Sequence, residues 1–140
     1  MKEELFSSET IAQAIIALGF NEECFGYHCG FKLFGEGPEM LRHKQVFIKG
    51  VHVVNDLQQR YDLPLFKICA APIWQQISDF LEANYDIDID VVKVRHDPDF
   101  KFEFSVMCAG KLVGSNRVSS RYIAMDNAVT LAIQHINNNV

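Results

Sequence analysis

The sequence predicts an α+β fold: a three-stranded antiparallel meander with helices on one face, in the order α-β-β-β-α over residues 72–140, preceded by a short helix and an irregular, partly extended N-terminal lobe. Three observations carry that expectation. Two segments repeat their apolar residues at helical spacing, a stretch of period-two alternation lies between them, and clusters of Gly, Pro and Asp fall where a meander must turn.

The first element is a short helix. Ser7 or Ser8 caps its free N–H groups, Glu9 suits its positive end, and Ile11, Ile15 and Leu18 form one apolar line. Gly19 ends it, with Phe20 placed to touch the last turn. Patterning is weakest over residues 21–71. Residues 25–34 read as extended, Gly35-Glu36-Gly37-Pro38 as a loop, and Val46, Ile48, Val51, Val53 and Val54 as a strand around Gly50. Residues 56–61 suit one helical turn, and 65–70 are extended. No internal repeat or polar linker divides the chain, so residues 1–140 read as a single domain. Within it, 1–71 form an N-terminal lobe packed on the 72–140 block.

Pro72 suits the first turn of the next helix, because it lacks an N–H and its φ is preset. Ile73, Ile77, Phe80, Leu81 and Asn84 share one face, while Gln75, Gln76, Asp79 and Glu82 take the other. After Tyr85 the period becomes two. Ile87, Ile89 and Val91 alternate with Asp88 and Asp90, and then Val92 and Val94 appear on the opposite parity, which implies a bulge or a strand covered on both faces. His96-Asp97-Pro98-Asp99 is a turn. The second strand sets Phe100, Phe102, Phe104, Val106 and Cys108 on one face against Lys101, Glu103 and Ser105. Ala109-Gly110-Lys111 turns tightly into a third strand over residues 112–118. Ser119 or Ser120 caps the last helix, whose apolar stripe is Met125, Ala128, Val129, Ala132, Ile133 and Ile136, with Asp126, Asn127, Thr130, Gln134 and Asn137 toward solvent. Phe102, Phe104, Val129 and Ile133 are expected to share one core, which makes the Phe row structural and not a base-stacking platform.

Composition narrows the function classes. With 49% hydrophobic and 22% charged residues the chain has the make-up of a globular domain. It contains no apolar run of bilayer length, and its start is acidic and not the basic opening of a signal peptide, so the expected location is the cytoplasm, without a membrane partner. Cys24, Cys29, Cys69 and Cys108 are too sparse for a disulfide scaffold and are expected to be reduced. The net charge of −5 is uneven: residues 1–31 carry −4 and 68–90 carry −5, while 32–67 and 91–140 carry +2 each. Neither positive segment is a basic patch of the kind that phosphate contacts require.

Few residues invite chemistry. Cys24, His28 and Cys29 have the atoms that zinc takes, but the cysteines lie too loosely and no second Cys/His pair stands nearby. His28 or His52 would be the base for a nucleophilic cysteine, yet the sequence pairs neither with one. Asp86, Asp88 and Asp90 alternate on one strand face and read as an acidic edge that discourages strand pairing. Gly26, Gly30, Gly35 and Gly37 have the wrong spacing for a phosphate-binding loop. No catalytic, cofactor or metal residue is assigned, and an enzyme is not expected.

Two resemblances add to this reading. Glu9-Thr10-Ile11-Ala12 through Leu18-Gly19-Phe20, Cys24-Phe25-Gly26-Tyr27, Ala71-Pro72-Ile73-Trp74-Gln75-Gln76 through Asp79-Phe80-Leu81, and a final helix rich in Ala and Ile resemble an uncharacterised family of small proteins from bacterial prophages and mobile elements. That resemblance implies an origin and no activity. The order α-β-β-β-α, with Pro98-Asp99, Gly110-Lys111, Ser120-Arg121, Ala124 and Ala128, resembles the double-stranded RNA-binding domain. In that fold a His in the first hairpin loop and a Lys cluster opening the last helix grip the phosphates; here Phe100 stands at the His position, Arg121 matches one Lys, and Tyr122 and Met125 replace others. The expected function is therefore a phage-related accessory protein that binds a protein partner or a second copy of itself, without cofactor. The alternative is a nucleic-acid-binding module in which Lys93, Arg95, Lys101, Lys111, Arg117 and Arg121 converge, with Lys93, Arg95 and Lys101 on the open side of the sheet.

Overall fold

The computed structural model describes residues 5–29, 46–52 and 68–139. The fold is α+β, and the chain divides into two compact units, Met1–Ile73 and Trp74–Val140. The loop expected at 35–38 and the helical turn expected at 56–61 lie outside the described residues.

In the first unit, helix α1 spans Glu9–Ala17. The Ser8 hydroxyl accepts from the Ile11 N–H at 3.3 Å, so Ser8 and not Ser7 is the cap. At the other end Gly19 takes φ +106°, its N–H donates to the Ile16 carbonyl at 3.0 Å, and the Phe20 N–H donates to the Ile15 carbonyl at 3.3 Å. This is the paired closure that leaves few helix carbonyls orphaned, and it turns the Phe20 side chain inward to be buried. Strands β1 (Cys24–Cys29), β2 (Val46–His52) and β3 (Ile68–Ala71) form an antiparallel sheet in the order β2-β1-β3, with α1 against β3. Pro72 is not the first turn of a helix. Its carbonyl accepts from the Ser7 N–H at 2.9 Å and Ile73 forms an antiparallel bridge with Phe6, so the backbone stays extended for two residues beyond β3.

In the second unit, helix α2 (Trp74–Tyr85) passes through Asp86 into β4 (Ile87–Lys93), then β5 (Phe102–Cys108), β6 (Lys111–Val118) and helix α3 (Arg121–Asn138). The sheet order is β4-β5-β6, all antiparallel. Its register separates two faces. Ile87, Phe104, Val106 and Val118 are buried on the face that takes the helices; Asp88, Asp90, Val92, Leu112, Ser115 and Arg117 are exposed on the other. Helix α3 lies across all three strands and α2 against β4. Ala124, Ala128 and Ala132 have no exposed surface, and Val129, Ile133 and Ile136 flank them, so small residues allow α3 to lie close to the sheet. Of the four residues expected in one core, Phe104, Val129 and Ile133 are buried, whereas Phe102 is half-buried.

Two details of the strands differ from the sequence reading. The register of β4 on β5 runs unbroken from Ile87↔Cys108 to Lys93↔Phe102, so the change of parity at Val92 marks neither a bulge nor a covered strand: Val92 is 46% exposed. The irregularity lies instead in β6, where Val106 pairs with Gly114 and Met107 with Leu112, leaving Val113 as the extra residue. Phe100 does not continue the Phe row. Asp97 Oδ1 accepts from the Asp99 and Phe100 N–H groups at 3.0 Å each, and this turn holds Phe100 outside β5 with 51% of its surface exposed.

The β5–β6 hairpin has Ala109 at φ +51° and Gly110 at φ +78°, the pair of left-handed residues that matches strand twist in a two-residue turn. A side chain at the first position strains the backbone by roughly 1–2 kcal/mol. Ala109→Gly should therefore stabilise the fold by about 0.5–1 kcal/mol, the relief of strain exceeding the added freedom of the unfolded chain, as read from urea midpoints at constant slope. No gain, or a loss, would mean that the turn is not left-handed at this residue.

Candidate functional site

The six cations considered for nucleic acid do not gather on one face. Lys93 ends β4 and registers with Phe102 and, across the sheet, Val118; it thus shares the helix-side face and is not on the open side, because its parity is that of Ile87 and Val91. Arg121 opens α3 and lays its guanidinium 5.1 Å from the centre of the Phe102 ring. Arg95 and Lys101 are exposed on the two arms of the β4–β5 connection, which the Val94 N–H closes onto the Lys101 carbonyl at 2.7 Å. These four stand at one end of the sheet. Arg117 is on the opposite face, 4.0 Å from Glu103, in a pair so exposed that it contributes under about 1 kcal/mol. Lys111 flanks the β5–β6 turn, roughly 20 Å along β5 from Phe102.

Acidic groups accompany the four. Asp97, Asp99 and Glu103 belong to the same end, and the Asp97 carboxyl is held below the usual carboxylate range by the N–H bonds from Phe100 and Asp99, so it is firmly anionic. The local field is mixed in sign.

The thiol chemistry is closed at Cys24. Burial, with Glu22 nearby, pushes its pKa from 9.0 up to about 12, and its Sγ lies 3.6 Å from the Glu22 carbonyl oxygen. A thiol held in the protonated form is neither a nucleophile nor a ready metal ligand. Because the folded-state pKa is raised, the stability it carries is fully present below the unfolded value and is lost as pH rises through that value toward about 12. In the native protein at pH 8 Cys24 should resist iodoacetamide until urea unfolds the chain; rapid native labelling would contradict its burial. Cys69 is buried, and the half-buried Cys108 places its Sγ 3.8 Å from the Tyr85 carbonyl oxygen. Asp88 and Asp90 project from the exposed face of β4, with Asp86 just before the strand at φ +53°. Among the described residues no three His, Cys, Asp or Glu side chains are grouped closely enough to hold a metal ion.

Features that the sequence reading passed over lie along α3. Trp74 is buried and meets Tyr122 edge to face at 5.5 Å. Between β6 and α3 runs an open groove of about 420 Å³, lined by Phe104, Gly114, Ser115, Asn116, Asn127, Thr130, Leu131 and Gln134. The one sequence signal for it is Gly114, which the sequence reading did not use: a glycine inside a strand marks a close approach, and a Cβ at this position would lie 2.6 Å from Leu131 Cδ2. No helix among the described residues is long and apolar enough to cross a membrane. Comparisons with protein-family models, with curated proteins and with solved structures found no match to this chain.

Proposed function

We propose that this chain is a protein-binding accessory factor without catalysis of its own, of the phage-related or mobile-element kind that its short motifs resemble. The observation that supports this reading is the sheet face of the second unit that takes no helix of that unit. It carries Val92 and Leu112, 46% and 61% exposed, among Asp88, Asp90, Glu103, Ser105, Ser115 and Arg117. Exposed aliphatic side chains ringed by charges, three acidic and one basic, have the make-up of a protein interface with a polar rim, whereas a phosphate-binding surface concentrates positive charge. A photo-crosslinking residue at Val92 or Leu112 should give a discrete protein adduct in the native host, and one at Asn138, exposed at the end of α3, should not. No adduct from either position, together with a submicromolar complex with duplex RNA at about 150 mM salt, would replace this reading.

One observation favours a second reading. Lys93, Arg95, Lys101 and Arg121 do stand at one end of the second unit, where the β4–β5 connection meets the start of α3. Four phosphate contacts would lose roughly a hundredfold in affinity between 50 and 200 mM salt, so binding there would be weak under physiological conditions. Under the protein-binding reading Arg121→Ala leaves nucleic-acid titrations unchanged; a strong loss would promote the second reading.

A further inference from the structure

We propose that the β6 edge docks an extended acidic segment of a partner protein, which adds a strand to the β4-β5-β6 sheet and lays alternate side chains in the groove beside α3. The proposal rests on the reading of this chain as a protein-binding module and names the partner's chemistry. Among the described residues β6 pairs with β5 alone. From Gly114 to Val118 the pairing with β5 is regular, and within it the Arg117 N–H is held by Asn116 Oδ1 at 2.8 Å instead of by β5. In an antiparallel ladder alternate residues turn their N–H and C=O toward the neighbouring strand. Ser115, two residues earlier and on the same parity as Arg117, therefore also points its backbone groups away from β5, where an added strand would bond them.

The two edges of this sheet are treated differently. On β4, Asp88 and Asp90 are exposed and Asp86 precedes them, which defends that edge against pairing. From Leu112 to Asn116 β6 carries no charge and no proline, and the bulge at Val113 confines the open stretch to residues 114–118. Beside that stretch the groove offers the side-chain amides of Asn127 and Gln134, while the Thr130 hydroxyl donates to the Asp126 carbonyl at 2.7 Å and Asn116 Oδ1 is taken by the Arg117 N–H; no carboxylate lines it. Cations stand at both ends of the edge: Lys111 begins β6 and Arg121 opens α3 over the Phe102 ring, while Arg117, near the end of β6, faces the open side of the sheet 4.0 Å from Glu103. The complementary ligand is a short extended peptide that alternates carboxylate side chains with small ones, so that one set lies in the groove and the other on the open side. A second copy of this chain presenting the same strand would bring Lys111 and Arg117 to an edge that already carries them, which disfavours self-pairing.

The probe is an acetylated, amidated heptapeptide of alternating Glu and Val, titrated into the whole chain and followed by amide chemical shifts, with the Lys/Val peptide as its counterpart. Shifts and slowed exchange are expected at Ser115 and Arg117, with binding weakened by ~tenfold or more in the K111E/R117E double variant, which should gain affinity for the Lys/Val peptide. Ser115→Pro removes an outward N–H and no ladder bond, so it should abolish binding while the thermal midpoint holds; should that variant not fold, the charge-reversal pair decides alone. Equal binding by K111E/R117E, shifts confined to β4, or a concentration-dependent dimer abolished by Ser115→Pro would each overturn the proposal. If the peptide leaves β6 unperturbed while a crosslinker at Val92 still captures a protein, the strand-addition site is wrong and the protein-binding reading stands.

Discussion

Phe104→Ala should destabilise the protein by about 3 to 5 kcal/mol, the largest single effect expected in the second unit. Phe104 lies at the middle of β5, registers with Val91 and Asn116, and keeps only 5% of its surface exposed beneath α3. Truncation removes the apolar contact of the ring and leaves a hole between a sheet paired on both sides of β5 and a helix already drawn close by alanines, so little can collapse to fill it. Against a total of roughly 5–15 kcal/mol such a loss is a large part of the stability. Urea unfolding checks it, with Phe100→Ala as the comparison: that ring is held in solvent by the Asp97 turn, and its removal should stay within about 0.5 kcal/mol. Similar losses for the two variants would mean that the Phe row runs unbroken from 100 to 108 and that the turn geometry is wrong.

What could be read from the chain is what short-range chemistry decides. The caps at Ser8 and Ser120, the left-handed Gly19, the alternation of Phe102, Phe104 and Val106, and the apolar stripe of α3 all depend on neighbours within about four residues, and each stands in the structure. Pro72 shows the limit. Its ring is compatible with a helix start and with extended backbone alike, and the choice was made by the Ser7 N–H, more than sixty residues earlier in sequence. The N-terminal sheet has the same character, since β1 pairs with strands that begin more than fifteen residues beyond its end. Val92 misled for a different reason. A valine on the solvent parity looks like a second covered face, yet nothing in a sequence distinguishes a covered valine from an exposed one on an open sheet. The candidate binding features were less legible still. Asn127, Thr130 and Gln134 read as an ordinary solvent face of α3, and only the packing of Leu131 onto Gly114 turns that face into one wall of a groove.

Ala128→Leu should cost about 1–3 kcal/mol, although leucine has nearly the helix propensity of alanine and is the more hydrophobic residue. Helix propensity and transfer from water both predict a neutral or favourable change, so the sign of the result tests packing alone. Ala128 has no exposed surface and lies in register with Ala124 and Ala132 one turn away on each side, along the line where α3 rests on β5 and β6. Additional methylene and methyl groups at that line have no space: either α3 rises from the sheet and gives up contacts along its length, or the side chain takes a strained rotamer. Asn127→Leu adds a similar apolar side chain one residue earlier, on the exposed side of the same helix, and should change stability by less than about 0.5 kcal/mol. The pair is measured by urea midpoints and by the near-ultraviolet circular dichroism of Trp74, whose ring meets Tyr122 in the first turn of α3 and whose signal should weaken only if the helix shifts. A neutral Ala128→Leu, with the Trp74 signal intact, would show that α3 does not approach the sheet as closely as its alanine line requires.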